Sequence, residues 1–334
     1  MGNWPGERKG EPVSAEQSEA LIEAVEHRST GERQGIFGPG SASWTVNREA
    51  AVFLGAGRAA LLQLAHPWVA TALEQHSTVM ARPIERFHNT FRIVYTMIFG
   101  TLGQATAAAR HLYRLHTRIQ GELPEAVAAW PRGAHYQANE IAALRWVFST
   151  LVESAELAYG FALGPMPAQL REQYYADSKV LAGLFGLDEE SLPANWEAFA
   201  DYNRVMHGSG ELGVSDGARR MAQGLLAGAG SWLPIPRWYR GLTVEWLPER
   251  FRAEFGFAVS ERDHRAVERA RRWVPRVYRK LPKALSFVGP WHEAQARLAG
   301  RRSGPVARLG NRFWIGQTAL PFAQASRISF GKPN

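Results

Sequence analysis

The segment NEIAALRWVFSTLVESAELAYGFAL, Asn139–Leu163, decides the fold class. Its Ala, Leu, Arg and Glu residues are good helix formers, and it ends just before Gly164-Pro165. It reads as one long helix. Working outward, Ala105–Ile119 reads as a helix closed by Gln120-Gly121. Pro167–Phe185 is amphipathic, with Gly186 suited to its C-cap. Trp196–His207, then Asp216–Ala227 behind Ser215 or Asp216, continue the pattern. LPERFRAEFGF and SERDHRAVERARRWVPRVYRKL read as further helices, the second capped by Ser260.

Upstream, Ser14–Thr30 suits an amphipathic helix, and GERQGIFGPGSASWTV reads as loop. Asn47 is placed to cap a helix starting at Arg48. Pro67 breaks the first long apolar run. ERFHNTFRIVYTMIFG, Glu85–Gly100, has helical spacing but enough β-branched residues to keep a local strand alternative open. SWLPIPRWYRGL reads as loop, and the tail from Ser303 is weakly patterned. Nothing alternates strand and helix. The expectation is an all-α single domain: an extension over 1–40, a helical body over 41–300 and a tail over 301–334.

Composition narrows function. There is no cysteine, which excludes disulfides, iron–sulfur clusters, thiolate haem ligation and Cys-type zinc sites. Histidine, carboxylate, tyrosine and methionine remain as metal ligands. The net charge is +8, with basic residues denser near the C-terminus. No zinc-finger spacing or RNA-recognition motif accompanies them, so no nucleic acid is expected and a solvated basic face is the default. Peripheral contact with a membrane stays open. The N-terminus lacks the apolar region of a secretory signal. The apolar stretch Ala51–Leu73 is interrupted by Arg58 and His66, which favours buried helices over a membrane span. A cytoplasmic location is the simplest expectation. Gly55-Ala56-Gly57 lacks the strand and third glycine of a dinucleotide loop, and suits close helix packing better.

Several segments, in matching order, carry a resemblance. They are GAGRAALLQLAHPWVATALEQHS at Gly55–Ser77, RPIERFHNTFRIVYTMIFG at Arg82–Gly100, HLYRLHTRIQG at His111–Gly121 and HYQANEIAALRWVFSTLVESA at His135–Ala155. REQYYADSKVLAGLFGL, LPANWEAFADYNRVM and LTVEWLPERFRAEFGF follow. Over most of residues 48–300 the chain resembles the DUF2236 family, which includes the latex-clearing rubber oxygenases and the MpaB-like oxygenases. The resemblance implies a single large, globin-like helical domain holding haem b, and hence iron. It implies an oxidoreductase that uses dioxygen on an apolar substrate. Rubber-cleaving members cut the double bonds of polyisoprene, and a fungal branch cleaves a prenyl side chain. A carrier or sensor of haem or another apolar ligand is the non-catalytic alternative.

The same resemblance assigns roles. The rubber enzymes carry an R-x-x-K-T arrangement. Here the matching stretch is Arg86-Phe87-His88-Asn89-Thr90, with Asn89 in place of the lysine. Arg86, Asn89 and Thr90 thus become the catalytic candidates, and Arg86 also a cofactor contact. The proximal histidine of the family points to His116, as iron ligand. His66 falls in the opening motif and is the third cofactor-binding candidate. Many bacterial members carry a histidine where this chain has Phe148.

The residues can be read without the family. On composition alone His116 is a helix-surface histidine. His111 is its rival, but five residues on a helix put the two about 140° apart. Arg86 and Thr90 are four apart and should share a face. A pocket role for Arg86 stands beside a plain ion pair to Glu85 or Glu74. A buried His66 needs a partner, which His76 or Glu74 would supply. His135, Tyr136 and Glu153 are outlying candidates for the far side of a pocket.

Overall fold

Ser14 caps the first helix, α1 (Ala15–Arg28). Its hydroxyl accepts from the Gln17 N–H, while the Gln17 side chain accepts from the Ser14 N–H. The computed structural model describes residues 10–29, 31–76, 83–228 and 234–322. α2 (Ala42–Asn47) is the first departure from expectation. Ser41, not Asn47, is the cap, accepting from the Trp44 N–H. Asn47 ends this helix, and its amide donates to the Ser43 carbonyl. The helix expected at Arg48 is instead a 3-10 turn, Ala50–Gly55, leading into α3 (Ala56–Leu64).

Pro67 then opens α4 (Pro67–His76), so the proline break falls where the sequence puts it. α5 (Pro83–Phe99) is helical throughout its β-branched run, which removes the strand alternative. Thr101 and Gln104 form a second capping box and start α6 (Leu102–His116), which packs against α5. A small antiparallel hairpin follows, β1 (Gln120–Glu122) with β2 (His135–Gln137), Gly121 facing Tyr136. It was not foreseen.

α7 (Ile141–Leu163) is the axis of the molecule. Glu140 caps it, accepting from the Ala143 N–H, and Gly164 ends it at φ 97°. The 3-10 turn, α3, α8 (Ala168–Gly183) and α13 (Glu261–Tyr278) all pack on it. The turn comes so close that a Cβ on Gly55 would lie 2.2 Å from the Ser154 carbonyl oxygen. Close packing is therefore the role of Gly55. One buried ionic knot ties these helices together. Arg58 on α3 pairs with Glu153 at 2.7 Å, donates to Ser154 Oγ at 2.9 Å, and donates to the Trp246 carbonyl at 2.9 Å. Such a pair contributes little net stability but is costly to break one-sidedly, by roughly 3–5 kcal/mol.

The remaining helices are α9 (Trp196–Gly208), α10 (Asp216–Ala227), α11 (Arg237–Glu245), α12 (Glu249–Phe255), α14 (Lys283–Ser286), α15 (Gly289–Leu298) and α16 (Pro305–Ile315). Ser215 caps α10, and Ser260 with Asp263 boxes the start of α13, as the sequence suggests. Two segments read as unpatterned are helical: α11, inside the proline-rich stretch, and α16, inside the tail. Residues 231–233 of that stretch lie outside the described residues. The protein is predominantly all-α, and among the described residues no helix is long and apolar enough to cross a membrane.

Candidate functional site

Three cavities lie side by side among the 3-10 turn, α3, α5 and α7, and Ala56 lines all of them. The largest, about 710 Å³, is walled by Phe53, Phe87, Leu225, Tyr239, Phe313 and Trp314 among others. That volume lies within the usual range for small-molecule sites. The middle cavity, about 170 Å³, shares Ala60, Phe87 and Leu225 with the first. The innermost, about 70 Å³, shares Ala59, Phe91 and Leu151 with the middle one and reaches Phe148. The position where many family members are expected to hold histidine is thus an apolar wall, and Phe148 is only 2% exposed.

Arg86 and Thr90 both line the middle cavity, as their four-residue spacing on α5 requires. The other polar lining residue is Gln63, whose amide donates to Thr150 Oγ1 at 3.0 Å. Arg86 is therefore the one charge on that wall among the described residues. Neither expected ion pair forms. Glu74 binds Arg220 at 3.1 Å, and among the described residues no carboxylate pairs with Arg86. Burial pushes the Arg86 pKa down, but a guanidinium stays protonated under any working condition. The Thr90 hydroxyl donates to the Arg86 carbonyl at 3.1 Å, leaving its oxygen free to accept. Asn89 does not join them. One residue is about 100° of helix, and this step turns Asn89 to the exposed side, off all three cavity walls.

His116 ends α6 and is half-buried. Its pKa is pushed down to about 4, first by burial and then by the Arg86 guanidinium. A helix C-terminus favours a protonated imidazole by about 0.3–1 kcal/mol, so burial and Arg86 outweigh it here. The ring is neutral near pH 7 and makes no hydrogen bond among the described residues. It lines none of the three cavities, and its electrostatic link to them runs through Arg86. His111, the rival, is exposed beside Phe322.

His66 is elsewhere. It is 4% exposed, between Trp68 and Trp130, with ring centroids 6.2 and 6.4 Å away. The expected partners are occupied: His76 faces the Gln120 carbonyl and the Tyr136 hydroxyl, and Glu74 holds Arg220. The Nδ1 atom of His66 has no partner among the described residues, and burial pushes its pKa down to about 4. A cofactor-binding role for His66 gains nothing from this geometry, because His66 lines none of the three cavities. His135 is exposed, Tyr136 bonds Gln75 and His76, and Glu153 belongs to the Arg58 knot, so none of the three lines the pocket.

The sequence reading missed the outer walls. Phe53 stacks on Trp314 at 3.9 Å, joining the 3-10 turn to α16. The signal for α16 was the run Ala307, Asn311, Ile315, buried at four-residue steps.

Among the described residues no group of three or more His, Asp or Glu side chains is arranged to hold a metal ion. A haem would make a different demand, since one histidine nitrogen would suffice to hold its iron. No curated protein and no solved structure matches the chain. The family model for the catalytic domain of "ER-bound oxygenase mpaB/B'/Rubber oxygenase" matches residues 44–276, a span that contains Arg86, Thr90, His116 and Phe148 but not α16. The chain belongs to this mpaB/rubber oxygenase family of oxygenase catalytic domains.

Proposed function

We propose that this protein is a haem b-dependent oxygenase that acts on an apolar, alkene- or prenyl-containing small molecule, cleaving or otherwise oxidising a C=C bond. One observation carries the reading. The neutral His116 imidazole feels the charge of Arg86, a desolvated guanidinium that lines an apolar cavity, and among the described residues neither side chain has a hydrogen-bond or ion-pair partner. His116 would hold the iron, because its nitrogen is deprotonated near pH 7 and has no hydrogen bond among the described residues to release. Bound there, haem b would supply an iron able to activate dioxygen.

The chain's own residues do the rest. Arg86 keeps a positive charge where water is scarce, so an anionic group or a developing negative charge on oxygen is held strongly. Carboxylates of a cofactor and oxygen of a reactant are both suited to it. Thr90 offers an accepting oxygen one helical turn away. Phe87, Phe91 and Leu151 exclude water and hold a hydrocarbon by contact alone. Among its described lining residues the middle cavity has no carboxylate to act as a base.

The test is an absorption spectrum of the purified protein, oxidised, reduced and with carbon monoxide, for wild type and His116→Ala. A Soret band that the substitution abolishes or shifts supports both cofactor and ligand. No Soret band after haem supplementation sinks the haem reading, and a band indifferent to His116→Ala sinks the ligand assignment.

A second reading, a carrier or sensor for haem or an apolar ligand, is favoured by Phe148. Among the described residues it leaves the innermost cavity lined by no histidine and no charged side chain. Oxygen consumption that depends on an added alkene would exclude it.

A further inference from the structure

α16 has two faces of opposite character. Its inner face is fixed. Ala307, Asn311 and Ile315 are buried, and the backbones of Gly289 and Gly310 meet so closely that a Cβ on Gly310 would lie 2.8 Å from the Gly289 Cα. The Asn311 amide donates to Glu293 and to the Thr318 carbonyl. From α5, Arg92 donates to the Ile315 carbonyl at 3.1 Å, and His88 Nε2 lies 3.0 Å from the Phe313 carbonyl.

The outer face is apolar and open. Val306, Leu309 and Phe313 form one stripe and are 46%, 70% and 61% exposed. Isolated apolar residues on a surface are ordinary, but a one-helix stripe of three is a docking feature. Its surroundings are basic. Arg301, Arg302, Arg308 and Arg312 are exposed and have no ion pair among the described residues. After Glu293 the chain carries no acidic residue at all. Phe313 and Arg312 also border the 710 Å³ cavity. An apolar stripe flanked by unpaired arginines is the pattern of a helix lying in a lipid interface, its guanidinium groups among the headgroups.

We infer that α16 docks this protein on an anionic lipid bilayer, with the border of the largest cavity against the bilayer. The charge selects the occupant: a helix and its approach with four arginines unpaired among the described residues and no acid of their own are complementary to anionic lipid, and the stripe matches its hydrocarbon edge. An apolar ligand then enters from the lipid without crossing water. The inference uses the cavity's border but not the cofactor, so it stands or falls separately from the Soret measurement.

The test is flotation of the full chain with phosphatidylglycerol-containing vesicles and with pure phosphatidylcholine vesicles. Wild type is expected to float with the first, and less so with the second or at high salt. Val306→Glu/Leu309→Glu should lower the partition coefficient about tenfold or more. Arg301→Glu/Arg308→Glu should lower it by about fivefold for each charge removed. Leu309→Trp should retain binding, and circular dichroism should show unchanged helix content in every variant. Several results would overturn the inference. They are no flotation of wild type, undiminished flotation of the Val306/Leu309 variant, equal binding to neutral vesicles, or loss of flotation only when Arg265 and Arg269 of α13 are reversed. Lipid-free self-association abolished by Val306→Glu/Leu309→Glu would also overturn it, by assigning the stripe to a second copy. So would oligonucleotide binding that competes with vesicles and ignores the apolar substitutions.

Discussion

Two imidazoles in this molecule have the same depressed pKa, about 4, and opposite settings. His66 is sealed between Trp68 and Trp130, with an unbonded Nδ1 and no charge as a cause of its shift. His116 ends a helix, half-buried, and Arg86 adds its repulsion to the cost of burial. A shifted pKa alone therefore marks burial, not a site. What separates the two is the cation beside His116 and the apolar cavity that this cation borders.

The comparison can be broken first at the nest. Trp68→Ala should cost roughly 3–5 kcal/mol of stability, read by chemical denaturation, and leave ligand binding in the cavities nearly intact. A large loss of binding would mean that the two regions are coupled. Next comes pH. The folded pKa of His66 lies below its unfolded value near 6.5, so the unfolded chain binds the extra proton as pH falls. The stability is fully present above 6.5 and is lost between 6.5 and about 4, roughly 3 kcal/mol at about 1.4 kcal/mol for each pH unit. His116 contributes in the same window, so His66→Phe should roughly halve the dependence of Tm on pH there, and an unchanged slope would show that His66 does not set it.

At the other end of the comparison, Arg86→Met should raise the His116 pKa, because a repelling charge is gone; ring proton shifts in NMR would report it. It should also weaken binding of an anionic or oxygen-bearing ligand about tenfold, while stability stays level or rises by about 1 kcal/mol, since a desolvated cation has been removed. A marked loss of stability would show that Arg86 is structural. The smallest change is Thr90→Val. The hydroxyl's proton is already committed to the Arg86 carbonyl, so stability should move by about 0.5 kcal/mol or less. A drop in turnover with that stability unchanged would place the oxygen in contact with a reactant.

Much of this was legible locally. Capping at Ser215 and Ser260, the Pro67 break and the long α7 all follow from a residue and its near neighbours. The helix from Ala42 was hidden because six residues are too few to show a period, and its cap sits in a Gly- and Ser-rich run. The three-residue strands at Gln120 and His135 have the same problem. α16 was lost for another reason: its apolar residues face both ways, since Val306, Leu309 and Phe313 point out while Ile315 points in. Of the site, the Arg86–Thr90 face came from helix geometry. The same geometry places Asn89 outside, though the motif had suggested otherwise. The cavity walls came from no local signal, because they join the turn at Phe53 to Trp314, far along the chain.

The shared wall of small side chains carries one more consequence. Ala56 touches all three cavities, Ala59 the inner two and Ala60 the outer two. These residues lie at three- and four-residue steps on α3, so a single helical ridge without bulk sets the partitions. Volume there works as a ruler that can be recut one methyl group at a time. Growth at Ala60 narrows the outer two cavities, growth at Ala59 closes the deep end, and neither alters Arg86 and Thr90 beside them. Cavity volume and charge are thus written in separate residues, and one can drift while the other is held.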